Sequence, residues 1–176
     1  MIDARHYAVR DTLRDGTAIL IRALRPDDGP LLAEAFSKLE AESIYTRFFG
    51  PKSGLTEEDY RIIREIDFVT RVALVVTTEV DGREIVIASS SYIRFAPDTA
   101  EIAFVVEEDY HGQGIARRLL HHLGLIARER GIVRFEAEVL ALNSAMLRVF
   151  ASAGWPMKTR SEDGSIHIVL DLGATA

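Results

Sequence analysis

Two glycines, Gly112 and Gly114, lie between a segment typical of a β-strand and a segment typical of an α-helix. The apolar run 100–106 predicts the strand, and a helix is expected to begin at about Gly114. Glycine allows the bare main chain to come close to a ligand, and the first N–H groups of a helix have no partner inside the helix. Such N–H groups, together with the helix dipole, bind phosphate without a metal ion or a lysine. The turn therefore predicts a phosphate-binding site.

Two common phosphate-binding motifs do not fit this turn. A P-loop requires Gly-Lys followed by Ser or Thr, whereas Gly114 is followed by Ile115 and Ala116. A dinucleotide-binding Gly-x-Gly-x-x-Gly motif requires a third glycine at the position of Arg117. On these residues alone, a plain connection between strand and helix remains the alternative to a phosphate site.

One carboxylate in the preceding strand is a candidate general base. Strand alternation places Glu101 on one face with Ala103 and Val105, whereas Ile102 and Phe104 point to the other face. Glu101 is the only charge on its face, and burial there would raise its pKa and make it a better base near neutral pH. The alternative is that Glu101 lies in water at the strand end or pairs with a nearby arginine.

Other kinds of catalytic site are not supported by the sequence. The chain contains no cysteine, which excludes a thiol nucleophile, disulfides and thiolate metal sites. The five histidines lack metal-binding spacing, because His121 and His122 are adjacent and no His-Glu-x-x-His motif is present. We therefore predict no metal ion.

Composition predicts one globular domain over residues 1–176, since 48% of the residues are hydrophobic. The formal net charge of −6 argues against nucleic acid as the main partner. No apolar run is long enough to cross a bilayer, and the N-terminus lacks the pattern of a signal peptide. We expect no membrane partner and a cytoplasmic location.

The elements that must position these residues form a mixed pattern. Asp15-Gly16 and Asp81-Gly82 predict two hairpins, Gly131 ends the helix that begins at Gly114, and Asn143 caps the next helix. We expect strands at 7–13, 17–23, 72–80, 84–95, 100–106, 133–140 and 165–172, and helices at 26–39, 41–49, 56–66, 114–130 and 144–153. The predicted fold is α/β (α+β), with a mixed, mostly antiparallel sheet of about seven strands flanked by helices.

The segment His111-Gly-Gln-Gly-Ile-Ala116 resembles the Arg/Gln-x-x-Gly-x-Gly/Ala signature with which GNAT-superfamily acetyltransferases hold the pyrophosphate of acetyl-CoA. His111 departs from it, since the family usually has Arg or Gln there. The order of elements is also that of a GNAT fold. Strand 100–106 is similar to the corresponding strand of bacterial Pat-type protein lysine acetyltransferases, and so are segments 21–28, 45–50 and 66–67.

This resemblance implies an N-acetyltransferase that moves an acetyl group from acetyl-CoA to a primary amine, preferably a protein lysine side chain, with Glu101 as general base. A main-chain N–H near Val105 or Val106 is expected to polarise the thioester carbonyl. Without a cysteine, transfer should be direct, in a ternary complex. The residues that the resemblance assigns to cofactor binding are Phe104, Val105, Val106, His111, Gly112, Gln113, Gly114, Ile115, Ala116, Arg117, Asn143, Met146 and Phe150.

Phe150 stands where many GNAT enzymes have a tyrosine that protonates the leaving thiolate. Either another group or water gives that proton, or the thiolate leaves unassisted. Two other functions stay open: acetylation of a small amine such as a polyamine, amino acid or antibiotic, and a non-catalytic regulatory domain that binds acyl-CoA. Pat-type enzymes often carry a further regulatory domain, and we expect no control by a fused domain in a chain of this length.

Overall fold

The fold is built on one sheet of eight strands. The computed structural model describes residues 1–48 and 52–173. The strands are β1 (Ala8–Thr12), β2 (Ala18–Ala23), β3 (Arg71–Val80), β4 (Arg83–Ala96), β5 (Thr99–Val106), β6 (Arg134–Leu140), β7 (Met157–Glu162) and β8 (Ser165–Asp171). Their spatial order is β1-β2-β3-β4-β5-β6-β8-β7. All neighbouring pairs are antiparallel except β5 and β6, which are parallel.

Within the described residues, five α-helices cover the two faces of the sheet. They are α1 (Gly29–Ser37), α2 (Ala41–Phe48), α3 (Glu57–Glu65), α4 (Ile115–Glu129) and α5 (Ser144–Ala151). Val105 lines an apolar cavity together with side chains of α1 and α2, so these helices lie on the Val105 face. The ring of Phe104 packs against Phe150 of α5 with centroids 6.0 Å apart, so α5 and its neighbour α4 lie on the opposite face.

Strands β5 and β6 are joined only where they begin. The parallel register pairs Thr99 with Arg134 and Glu101 with Glu136. Over the rest of both strands, which the structure describes completely, no further register pair follows. Beyond Glu101 the two strands therefore diverge and leave a gap in the middle of the sheet.

The predicted architecture is confirmed, including the helix that follows the glycine turn. The apolar stripe of α4 is fully buried, with Ile115, Leu119, Leu123 and Ile126 at most 2% exposed. Gly131 follows the helix with φ 81°, a left-handed conformation that glycine adopts without strain. Burial of one helical stripe fixes how α4 lies on the sheet, and so where its N-terminus points.

The predicted number of strands was too low by one. Strand β7 was missed because it is a polar edge strand in which every residue except Met157 is exposed, so no apolar alternation marks it. The signal that could have found it is Asp163-Gly164, the same kind of hairpin dipeptide that correctly predicted the other two turns.

One predicted helix start was also wrong. Helix α1 begins at Gly29 rather than at Pro26, because the preceding Asp28 turns its carboxylate to Arg22 and Arg25. The predicted stop of α2 at Gly50-Pro51 lies outside the described residues, as does Phe49.

Candidate active site

A cleft of about 510 Å³ opens where β5 ends and α4 begins, with α5 forming its other wall. It brings together most residues that were expected to bind a cofactor, although they come from three separate elements. The predicted residues that line it are Phe104, Val105, Val106, His111, Gly112, Gly114, Ile115, Ala116, Arg117, Asn143 and Met146.

The turn before α4 presents free main-chain donors to this cleft. Gly112 and Gly114 have φ values of 78° and 79°, and Gly114 caps the helix without any side-chain hydrogen bond. No described residue accepts a hydrogen bond from the N–H groups of residues 112–117. By contrast, the N–H groups of Tyr110 and His111 are already bonded within the turn. A run of unpaired N–H groups at a helix N-terminus is an anion site.

Side chains hold the turn in this shape. His111 is exposed, and its Nε2 lies 2.8 Å from the carbonyl oxygen of Val106, which ties the turn to the end of β5. Arg118 donates from Nη1 to the carbonyl oxygen of Gln113 at 2.7 Å. The Gln113 side chain itself turns to Asp15, at 3.3 Å, and does not line the cleft. Gln113 was expected to bind the cofactor, but it is not among the residues that line the cleft.

The end of β5 offers two more donors. The N–H of Glu107 donates to the carbonyl oxygen of Ile87 in the β4 direction at 2.9 Å. Because N–H groups alternate between the two sides of a strand, those of Phe104 and Val106 point away from β4 and into the gap. Of the two residues that were expected to supply such an N–H, Val105 and Val106, only Val106 directs its N–H into the gap.

A second cavity, of about 90 Å³, lies in the gap between β5 and β6. Phe104, Asn143 and Met146 line both this cavity and the larger cleft, so the two adjoin there. Consecutive residues 102–104 of β5 and 137–139 of β6 all line it. Arg47 of α2 on one face and Phe150 of α5 on the other also line it, so the cavity extends through the sheet from one face to the other.

Glu101 lies at the rim of this gap, but the expected burial was wrong. Its side chain is exposed, because its neighbour across the parallel register is another charged residue, Glu136, and the strands diverge just beyond. Arg47 of α2 lines the same cavity. Burial lowers the pKa of Arg47, and attraction to Asp59 and Glu101 partly offsets this. The structure therefore agrees with the alternative, in which Glu101 lies in water, and it places an arginine, Arg47, nearby.

The family is shown by comparison with known proteins. The model of the Acetyltransferase (GNAT) family matches residues 39–155. The chain belongs to this family. It is an N-acetyltransferase that depends on acetyl-CoA. The matched segment includes β5, the glycine turn, α4 and α5, which together form the cleft.

Relatives with solved or curated descriptions agree with the family. The GNAT domain of S. lividans PAT is 36% identical, with a TM-score of 0.83 over 93% of this chain and 96% of that one. Acetyltransferase PA5475 of Pseudomonas aeruginosa is 26% identical over 96% of this chain and 89% of its own length. Acetyltransferase Pat of Mycolicibacterium smegmatis is 29% identical over 81% of this chain but only 42% of its own length. This chain therefore spans less than half of that Pat protein.

Asn143 caps helix α5 and lines the cleft, whereas Phe150 of the same helix packs in the core. The Asn143 side chain caps α5 by accepting a hydrogen bond from the N–H of Met146 at 3.2 Å, and it lines both cavities. Phe150 is 1% exposed and lines the smaller cavity rather than the cleft. The two interpretations of Asn143, as a cap and as a cleft residue, are compatible in this geometry.

Sequence reasoning missed several lining residues of this GNAT cleft. Four of them follow Asn143 at helical spacing on the same face of α5, a signal that was available: Ala145, Arg148, Val149 and Ser152. Arg14 comes from the β1–β2 turn and Ser43 from α2, so only the tertiary fold places them in the cleft. Tyr110 lies in the turn, and burial raises its pKa.

Two absences concern the described residues alone. None of their helices is long and apolar enough to span a membrane. No three of their His, Cys, Asp or Glu side chains are grouped in a way that could hold a metal ion.

Proposed function

We propose that this protein transfers an acetyl group directly from acetyl-CoA to a primary amine, with a lysine side chain of a protein as the preferred acceptor amine and Glu101 as general base. The observation that carries the proposal is the gap between β5 and β6. It joins the cleft on the α4–α5 face to the opposite face, where Glu101 lies. Donor and acceptor can thus approach one reaction point from two sides.

The donor occupies the cleft in this proposal. The free N–H groups of residues 112–117 bind the diphosphate of acetyl-CoA, as expected for an anion at a helix N-terminus. Arg117 lies beside these donors at the mouth of the cleft. The pantetheine arm runs past Asn143 and Met146 toward the gap, where it pairs with the main chain of β5 in place of the diverging β6.

The thioester lies where cleft and gap adjoin. There the N–H of Val106 is directed at the carbonyl oxygen of the acetyl group and stabilises the negative charge that develops in the transition state. Glu101 takes a proton from the ammonium group of the acceptor, directly or through water, because only the neutral amine is a nucleophile. The amine nitrogen forms the new amide bond as the carbon–sulfur bond breaks and CoA leaves as a thiolate.

The leaving thiolate needs no acid from Phe150. The Phe150 ring has no ionisable proton, and it packs against Phe104 in the core. A thiolate is a stable leaving group near neutral pH, so water in the open cleft can protonate it. The absence of cysteine from the chain excludes an acyl-enzyme on a thiol.

An acceptor screen separates this proposal from the two alternatives. CoA release would be measured with a lysine peptide, with spermidine and with free amino acids. We expect turnover with the peptide at the lowest concentration, since Glu101 is exposed at the rim of the gap, within reach of a lysine side chain. Turnover with spermidine or an amino acid alone would favour the small-amine function. Tight acetyl-CoA binding without turnover of any amine would favour a regulatory domain.

Replacement of Gly112 tests the anion site. Gly112 and Gly82 have nearly the same φ, 78° and 76°, and a Cβ at either would meet no described heavy atom within 4 Å. Gly112→Val and Gly82→Val therefore introduce similar backbone strain, but only Gly112 lies in the cleft. Isothermal titration should show acetyl-CoA affinity at least about tenfold lower for Gly112→Val, because charge-assisted hydrogen bonds are disturbed. An equal effect of both variants would contradict the site.

A further inference from the structure

A histidine bridges two carboxylates at the edge of the gap. His167 of β8 lies opposite Glu138 of β6 in the antiparallel register. Its Nε2 is 2.6 Å from Glu136 Oε1, and its Nδ1 contacts Glu138 Oε1. The Ser165 hydroxyl lies 3.0 Å from the carbonyl oxygen of Glu162 and 3.3 Å from Glu138 Oε2, and its single proton serves one of the two at a time. His167 therefore makes the main contact that holds the Glu138 carboxylate.

The geometry favours a positively charged imidazole. A neutral histidine has one N–H and one lone-pair nitrogen, and a lone pair cannot bond to a carboxylate oxygen. Both ring nitrogens of His167 face carboxylate oxygens, and when both carboxylates are ionised, both nitrogens donate. The hydrogen bonds to Glu138 and Glu136 raise the pKa of His167, against a smaller opposing effect of burial. The two carboxylates therefore favour the protonated, cationic form of His167.

The cluster lies beside the candidate reaction point. Glu138 lines the gap cavity together with Glu101 and Arg47. Glu101 and Glu136 are register partners, so their side chains share one face of the sheet, and Glu138 follows on that face two residues along β6. An acceptor that enters the gap from this face therefore passes Glu138. The Glu138 side chain is 43% exposed and can still accept hydrogen bonds from a ligand.

Other charges around His167 do not replace this arrangement. Arg160 of β7 is its register partner on the far side, and it lies 3.7 Å from Glu162 in an exposed pair. Arg47 lies across the gap on the Glu101 side. Of the charges that face His167 from β6 and β7, only Glu136 and Glu138 touch it.

We propose that Glu138 binds the ammonium group of the acceptor amine, and that His167 is the positioning residue that holds Glu138 toward the gap. This inference rests on the proposed acetyl transfer to an amine. Two carboxylates on one face then have different roles: Glu138 binds the charged amine, and Glu101 removes its proton. A cationic acceptor is then preferred over a neutral amine of the same size.

The first test separates acceptor binding from catalysis. With Nα-acetyl-lysine methylamide as the probe amine, Glu138→Gln should raise the acceptor KM roughly tenfold, the loss expected for one charge-assisted hydrogen bond. The kcat and the acetyl-CoA affinity should stay within about twofold of wild type. Glu162→Gln is the matched control, because it removes a carboxylate from an exposed position on the same face but outside the gap. Its KM should equal that of wild type.

Each other outcome overturns the inference. An unchanged acceptor KM in Glu138→Gln would show that Glu138 does not bind the acceptor. An equal rise of the acceptor KM in Glu162→Gln would show that the effect comes from the general negative charge of the surface. Acetyl-CoA titration shows that each variant is folded. If the wild-type protein binds acetyl-CoA but acetylates no amine, the proposed function itself is wrong. If the wild-type protein is active and Glu138→Gln has the same acceptor KM, only the role of Glu138 is wrong.

The second test addresses the positioning role of His167. His167→Gln should raise the acceptor KM several-fold at pH 7 and leave kcat nearly unchanged. The ratio of the variant KM to the wild-type KM should fall toward one as pH rises, because wild-type His167 then loses its proton and with it the positive charge that holds the Glu138 carboxylate. Protonation of the acceptor affects both proteins alike and cancels in this ratio. A ratio that is independent of pH, or a fall in kcat alone, would contradict the positioning role.

Discussion

At the scale of single residues, the proposed role of Glu101 as general base depends on its position and not on burial. The sequence suggested a carboxylate made basic by an apolar environment, whereas the structure places it in water at the rim of a gap. A general base must first be within reach of the proton that it removes. The gap provides that reach, since it connects Glu101 with the end of the cleft.

Replacement of Glu101 should separate chemistry from cofactor binding. In Glu101→Gln we expect kcat to fall about 10²- to 10³-fold, in the range usual for the loss of a general base. Acetyl-CoA affinity in isothermal titration should stay near that of wild type, because Glu101 does not line the cleft. Steady-state rates would be measured over a range of pH. Equal turnover of variant and wild type at every pH would dismiss Glu101 as the base.

Asn143 combines a structural role and a proposed contact with the cofactor, and two substitutions distinguish them. Serine caps a helix about as well as asparagine, whereas alanine costs about 1 kcal/mol of stability. We therefore expect Asn143→Ser to unfold in urea like wild type and Asn143→Ala to be less stable. Both should raise the KM for acetyl-CoA, since neither offers a side-chain amide to the cleft. If Asn143→Ser had the wild-type KM for acetyl-CoA, the role of Asn143 would be limited to capping α5.

At the scale of elements, local patterns predicted most of the sheet and its helices. The apolar stripe of α4 and the Asp-Gly hairpins determine structure through neighbours in sequence, and these expectations are confirmed. Strand β7 was not predicted because all of its residues except Met157 are exposed. The gap could not be predicted, since divergence of β5 from β6 depends on how two distant segments meet. For the same reason Arg47 and Glu138 were missed as lining residues.

The segment 21–28, which resembles other GNAT proteins, has a structural explanation. Arg22 of β2 is 1% exposed and binds Asp28 with two parallel hydrogen bonds, of 2.8 and 2.9 Å. Asp28 also accepts the N–H of Arg25, and Arg22 reaches Glu84 of β4 at 3.3 Å. This buried network joins the start of α1 to two strands. Its place in the fold, rather than a catalytic role, accounts for the pattern.

Removal of Arg22 should therefore destabilise the fold. Arg22→Leu leaves the Asp28 carboxylate buried without its partner, and we expect the free energy of unfolding to fall by about 3–5 kcal/mol. The control is Arg83→Leu, which removes the exposed pair of Arg83 with Glu34 and should cost about 1 kcal/mol or less. Urea denaturation measures both. Similar losses in the two variants would contradict a special role for the buried network.

At the scale of the whole molecule, the gap lies between the two faces of the sheet that the proposed reaction uses. Helices α4 and α5 form the cofactor cleft on one face, and the other face carries Glu101, Glu136 and Glu138 beside the gap. An amine that reaches Glu101 from that second face would not displace a cofactor in the cleft, and the proposed direct transfer in a ternary complex needs this arrangement. The cytoplasmic location and the single-domain organisation over 1–176 stay predictions.

The claim on which the account depends is that unpaired main-chain donors at the start of α4 hold the diphosphate of acetyl-CoA. A crystal structure of the complex with acetyl-CoA tests it most directly. The account predicts diphosphate oxygens about 3 Å from N–H groups of residues 112–117, with the thioester directed at the gap between β5 and β6. A diphosphate bound elsewhere, with those N–H groups still facing solvent, would contradict it.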